Sequence, residues 1–199
     1  VDDVIGLLVD PKSAGVKITR TRNHADDALC QVDFSNITVS AADVLDTKNF
    51  WNVWEEAMTR SIVAQAAQAI GAAEAIHSMA TDYSKQRVQF GKPIGSFQAI
   101  AHYLADMIVR VEGAKVLGYQ AAWAIDNNKP YEKLAAQAKL QACNTFRDAS
   151  AIGVQIHGGF GFTSEGDPQL YFRRAKHWQM VNWDSSYLEK RIAALVLDN

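Results

Sequence analysis

Two short segments of the chain carry residue types that could hold a planar ligand bearing phosphate. The first is Tyr83-Ser84-Lys85-Gln86-Arg87-Val88-Gln89-Phe90-Gly91-Lys92-Pro93-Ile94-Gly95-Ser96-Phe97-Gln98. Arg87 falls at the end of a helical pattern, Gly91-Lys92-Pro93 reads as a turn, and Ser96 is a residue type that caps a new helix. A guanidinium beside a fresh helix N-terminus favours a phosphate. A helix-terminal arginine followed by a plain connector fits the same residues. The second segment is Gln155-Ile156-His157-Gly158-Gly159-Phe160-Gly161-Phe162. Its glycines free the backbone to approach a ligand, and its aromatics can cover a flat ring. It follows a helix rather than a strand and lacks the G-x-G-x-x-G spacing, so it is not a Rossmann fingerprint.

Other reactive side chains are few. Cys30 and Cys143 are the only two cysteines, lie far apart and have no zinc-ligand spacing. His157 and His177 have no partner pattern for metal binding or nucleophilic work, and no metal is expected.

Hydrophobic periodicity gives the elements that must position these segments. Val4 to Val9 is a short apolar run ended by Asp10-Pro11, and Gly15 to Arg22 and Leu29 to Phe34 alternate, which predicts three or four antiparallel strands. So small a set cannot close a sandwich, and its apolar face needs another layer. After Asp46-Thr47 the period changes. Phe50, Trp54, Met58, Ile62, Ala66, Ile70, Ala73 and Ile76 recur at helical steps, predicting one long helix over about 49–86. Further helices are expected over Phe97–Asp126, Tyr131–Ile156, Pro168–Lys176 and Ser185–Leu197, with Asn127-Asn128-Lys129-Pro130 as a tight turn. The short connectors predict an up-down bundle, and the tryptophans are expected in its core. The division expected is a partial β domain over 1–48 and a helical bundle over 49–199.

Taken together, R-x-x-F-G-x-P-I-x-x-F-Q, a long helical stretch, Q-I-H-G-G-x-G-F-T and L-Y-F-R-R-A-K resemble the C-terminal part of an acyl-CoA dehydrogenase. Leu7-Leu8-Val9-Asp10 with Gly15-Val16, and Val32-Asp33-Phe34 to Val39-Ser40, resemble the last strands of that family's middle β domain. The resemblance implies a mainly α fold, a four-helix bundle with a small N-terminal antiparallel β remnant, binding FAD at subunit boundaries. It implies that Arg87 and Gln98 contact the flavin pyrophosphate and that Phe90 packs near the adenosine half. Gln155, Gly158 and Gly159 would act at the other end of the dinucleotide, from a neighbouring subunit. Asp184 and Ser186 would lie in the flavin-contacting stretch, although Asp184 also reads as the N-cap of the helix that follows.

The family reaction needs a carboxylate to take the α proton of an acyl thioester while the flavin accepts hydride from the β carbon. Counting on from His157-Gly158-Gly159 puts Asn182 at the usual glutamate position, and an amide cannot serve as a general base. The alternative base position, on the first bundle helix, holds Ser61. Glu55, Glu56 and Glu74 lie elsewhere on that helix, and the arginine some relatives carry next to Ser61 is Ile62. No catalytic residue is therefore assigned.

The 199 residues, 48% of them hydrophobic, suffice for one core with a smaller layer. Twenty Lys+Arg against 22 Asp+Glu leave a formal charge of -2 with no long block of either sign, which gives nucleic acid nothing to bind. There is no membrane-length apolar stretch, and the start V-D-D-V lacks the basic residues of a signal peptide, so a cytoplasmic protein is expected. The function expected is α,β-dehydrogenation of an acyl-CoA, as in fatty acid metabolism. The chain would act as a homo-oligomer, dimer or tetramer, or with a glutamate-bearing homologue. The alternatives are a non-catalytic FAD-binding scaffold subunit and a flavin monooxygenase on the same fold.

Overall fold

A computed structural model describes residues 4–45 and 49–197. The start V-D-D-V (its first three residues), the expected change of period at Asp46-Thr47, and the expected domain boundary at 48 and end at 199 thus lie outside the described residues. Contacts divide the chain into two compact units, 1–58 and 59–199.

Among the described residues the first unit holds two separate two-stranded ladders. Strands β1 (Gly6–Leu7) and β4 (Val44–Leu45) pair antiparallel, as do β2 (Val16–Thr21) and β3 (Leu29–Phe34). Only Gly6–Leu7 of the expected Val4 to Val9 strand joins a ladder. Glycine is required there, because a Cβ at Gly6 would lie 2.1 Å from the Phe50 ring. In the longer ladder Val16 opposes Phe34 and Ile18 opposes Val32, so all four share one face. Ile18, Val32 and Phe34 are exposed, which leaves that face without the second layer its composition calls for.

Helix α1 (Phe50–Gln86) enters the second unit at Thr59. It is followed by a short hairpin, β5 (Val88–Gln89) and β6 (Lys92–Pro93), then α2 (Gln98–Asp126), α3 (Glu132–His157), α4 (Pro168–Met180) and α5 (Ser185–Leu197). Helix α3 packs against α2, α4 and α5. Its buried stripe is Ala135, Ala138, Ala142, Phe146 and Ala149, facing Ile62, Ala66, Ala69, Ala73 and Ile76 of α1 and Met107, Val111 and Ala114 of α2 in one core. Small residues let the helices approach closely. A Cβ at Gly153 of α3 would fall 2.5 Å from Ile76 Cγ1, and one at Gly118 of α2 would fall 2.9 Å from Ile70 Cδ1. Gly153→Ala should therefore cost about 1–3 kcal/mol by overpacking, read from urea denaturation, although alanine is the better helix former.

Three sequence expectations change. Helix α4 continues past Lys176 to Met180. Ser96 does not cap α2: its hydroxyl donates to Pro93 O at 2.7 Å inside a 3-10 turn over Ile94–Ser96, and the cap position is Phe97, with no side-chain bond. Trp51, Trp54 and Trp123 are exposed, while Trp178 and Trp183 lie partly buried against the core. An alanine-lined core brings helix axes too close to admit most indoles.

Candidate functional site

The Arg87 segment is built by a two-residue hairpin. The N–H of Arg87 donates to Tyr83 O at 2.9 Å, closing the last turn of α1, and the N–H of Ile94 returns to Arg87 O at 2.8 Å. Val88 opposes Pro93 and Gln89 opposes Lys92, leaving Phe90 and Gly91 as the loop, with φ of 52° and 78°. Left-handed conformation at both loop positions is the type I′ geometry that matches strand twist. Glycine accepts it without cost, whereas a phenylalanine there carries strain. Phe90 is also 91% exposed, and its ring meets Phe97 edge-on at 6.1 Å. Gly95 lets the connector lie on α1, since a Cβ there would fall 2.9 Å from Ser84 Oγ. Arg87 and Gln98 are both exposed beside this hairpin.

The glycines of the second segment divide by role. Gly158, at φ 60° and ψ -138°, stands in a conformation that side chains avoid, and a Cβ on Gly158 or Gly159 would meet nothing within 4 Å. These two present open backbone. Gly161 and Gly166 serve packing, because a Cβ would fall 2.8 Å from Val154 O at the first and 2.5 Å from Phe160 O at the second. Gln155 and Phe162 are exposed next to this backbone.

His157 links the two segments. It is buried, its Nδ1 lies 2.8 Å from Gly153 O, and its ring stacks on Tyr83 with centroids 4.4 Å apart. A carbonyl partner requires Nδ1 to carry the proton. Tyr83 lies one turn before Arg87 and His157 adjoins Gly158, so one chain carries both segments at the same end of its bundle. The resemblance alone had assigned them to different subunits of a shared site.

The α4–α5 loop forms a second locus. Its Asn182 and Trp183 have φ of 51° and 69°. Lys139 of α3, fully buried, donates from Nζ to Val181 O and Asn182 O, and to Trp183 O at 3.1 Å. Burial pushes the Lys139 amine below its usual value, against the pull of Cys143 and Asp184; Cys143 is itself pushed up to about 11 by burial and is a neutral thiol at pH 7. Asp184 Oδ1 accepts from Tyr187 N at 2.8 Å and so caps α5, the structural one of its two readings. Trp183 packs on Tyr187 at 5.2 Å and under the Arg191 guanidinium at 4.8 Å, while Ser186 is exposed.

Lys139 and His157 are 18 positions apart on α3, roughly 27 Å along its axis. Arg87, Phe90, Gln155, Gly158 and Gly159 are thus brought to one end of the bundle, and Asn182, Asp184 and Ser186 stand well away from them. Sequence reading missed Lys139. The signal was a charge set among Ala135, Ala138, Ala142 and Cys143, where a helical stripe should be apolar.

Neither position that the resemblance aligns with the family's base, Asn182 or Ser61, holds a carboxylate. Glu74 is tied to Lys115, whose Nζ lies 2.5 Å from Glu74 Oε1; this bond, reinforced by Glu112, holds the Lys115 amine above its usual value. No group of three or more potential metal ligands exists among the described residues. What the first locus offers is a guanidinium, a projecting aromatic and open glycine backbone. These fit the diphosphate and aromatic portions of a dinucleotide.

Residues 51–194 match the family described as acyl-CoA dehydrogenase, C-terminal domain. The chain is 32% identical to acryloyl-CoA reductase (NADH) of Anaerotignum propionicum over 196 residues, which is 96% of this chain and 50% of that protein. The structure is similar to butyryl-CoA dehydrogenase from Megasphaera elsdenii, with TM-score 0.91 and 29% identity, covering 97% of this chain and 51% of that one. It is also similar to a chain of the ChsE4-ChsE5 complex from Mycobacterium tuberculosis, with TM-score 0.89 and 26% identity over 97% of this chain and 52% of the other. The chain spans between about a third and a half of the length of the curated relatives it matches.

Proposed function

We propose, for a chain that belongs to the acyl-CoA dehydrogenase family, that it supplies one flank of a flavin site in an assembly that dehydrogenates an acyl-CoA thioester between its α and β carbons. Residues 1–48 are then the end of a middle β domain and 49–199 the FAD-binding bundle. FAD, when bound, accepts the hydride from the β carbon. Arg87, with Gln98, holds the diphosphate by charge-assisted hydrogen bonds, and Phe90 covers the adenosine half. Gln155, Gly158 and Gly159 admit the dinucleotide to bare backbone from the same chain as Arg87. Asp184 and Ser186 serve the ring end of a different flavin in the assembly, since they lie far along α3 from the Arg87 end. On this reading the protein acts in the cytoplasm, and within 4–45 and 49–197 no helix is long and apolar enough to cross a membrane.

The observation that carries this reading is the Tyr83–His157 stack, which unites the arginine hairpin and the open glycines. Arg87→Ala should weaken FAD retention by roughly 10- to 100-fold, the worth of charge-assisted hydrogen bonds to a diphosphate. Titration of flavin into the wild-type and variant assemblies measures this, and equal affinities would remove the support. The chain alone should hold FAD weakly or not at all, because it carries one flank of each site.

Self-association follows from the same division. Val109, Val116 and Trp123 recur at seven-residue steps along the exposed side of α2, with Tyr119 beside them. Sedimentation at micromolar concentration should show dimers or larger species, and a pure monomer would contradict this.

A second reading, a non-catalytic subunit beside a glutamate-bearing homologue, is favoured by Asn182 and Ser61 at the two base positions. Copurification with such a homologue, and bleaching of flavin only in the mixture, would select it.

A further inference from the structure

The mechanism leaves one buried charged group unused. Lys139 is fully buried on α3, and its Nζ faces three consecutive carbonyl oxygens, those of Val181, Asn182 and Trp183. An ammonium has three protons and no acceptor, so three carbonyls satisfy it completely. The peptides they belong to are trans, and in a trans peptide the N–H points opposite to the C=O. Gathering the oxygens of 181–183 on the inner side turns the N–H groups of Asn182, Trp183 and Asp184 to the outer side. No acceptor for these three is found among the described residues.

This backbone does not hold itself. Asn182 tolerates a left-handed conformation, but Trp183 at φ 69° does not favour it, and neither position is a glycine. What holds Trp183 is its ring, packed by Tyr187 and Arg191 on one side, and its carbonyl, fixed by Lys139 on the other. The loop then delivers Asp184 to cap α5, and Gln179, bonded to Asn144 at 2.7 Å, reaches Ser185 Oγ at 3.2 Å.

We propose that Lys139 is a positioning residue: its ammonium gathers the carbonyls of 181–183 and thereby sets the outer face of the α4–α5 loop as a row of hydrogen-bond donors. Two titratable groups act on it, Asp184 in the loop and Cys143 one turn along α3. At pH 7 Cys143 is a neutral thiol. The bearing of this on turnover rests on the family reading of position 182. The positioning itself does not.

The test uses the whole chain without flavin or substrate, so its outcome is independent of the dehydrogenase reading. Lys139→Met keeps the length of the side chain and removes the donors. Hydrogen exchange of the Tyr187 and Leu188 amides, which donate to Asp184 Oδ1 and Asp184 O, should accelerate by at least roughly 100-fold, while the amides of α1 and α2 change far less. Unchanged exchange at Tyr187 and Leu188, or the same acceleration throughout the bundle, overturns the proposal. Should Lys139→Met fail to fold, the unsubstituted protein decides. Nitrogen-15 NMR at pH 7 should show a slowly exchanging ammonium at Lys139 coupled across hydrogen bonds to the carbonyl carbons of 181–183. A neutral amine or a rapidly exchanging one refutes the assignment.

Discussion

Asn182→Ala should lower any acyl-CoA dehydrogenase turnover of an assembly containing this chain by less than about tenfold, whereas loss of a true general base costs roughly 100- to 10,000-fold. An amide does not take a proton at neutral pH, and a serine hydroxyl does no better. Neither position can accept the α proton. A carboxylate restored at the loop by Asn182→Glu should raise turnover by roughly 100-fold or more, provided position 182 faces the α carbon. The backbone there is already fixed by the Lys139 bonds, so the substitution changes the side chain alone. Anaerobic bleaching of flavin by a panel of acyl-CoAs measures both variants. A large loss in Asn182→Ala would show the amide to be indispensable, and an inert Asn182→Glu would mean that the loop does not face the substrate.

Phe146→Ala should destabilise the helical unit by about 3–5 kcal/mol, a large part of the 5–15 kcal/mol typical of a whole domain. Phe146 is 1% exposed on α3, and its ring meets Tyr171 edge-on at 6.3 Å and Trp178 at 5.3 Å, both on α4. It also borders a cavity of about 400 Å³ shared with Leu170, Tyr171 and Trp178. Truncation would enlarge that space and remove two aromatic contacts at once. Urea denaturation reads the loss, and Phe146→Leu should cost less than about 1.5 kcal/mol. A loss below 1 kcal/mol for the alanine variant would mean that α4 repacks over the gap.

The helices were legible because each buries one stripe against its neighbours, and a three- and four-residue spacing of Ile and Ala leaves no other assignment for so long a run without proline. Helix α1, expected over about 49–86, spans Phe50–Gln86, and α2 ends at Asp126 as its turn residues required. Turn chemistry at the Arg87 segment was harder to read. Phe90-Gly91 is an unusual pair for a type I′ hairpin, since it puts an aromatic where glycine or asparagine is the ordinary choice, and so the segment read as a connector. Ser96 has the composition of a cap, but its hydroxyl found the nearer Pro93 carbonyl.

By itself the sequence determined the mainly α architecture, the two segments whose residue types suit a phosphate-bearing planar ligand, and the absence of a carboxylate at positions 61 and 182. All of these rest on residue identity and local spacing, which the chain carries wherever it folds. Only the tertiary structure decided which segments meet. The Tyr83–His157 stack joins residues 74 positions apart, the Lys139 bonds join residues 42 to 44 apart, and the axis of α3 separates the two loci. Such contacts depend on the register of one helix against another, and that register is set by many small packing choices among alanines and glycines, none of which is specific enough to be read from its own position.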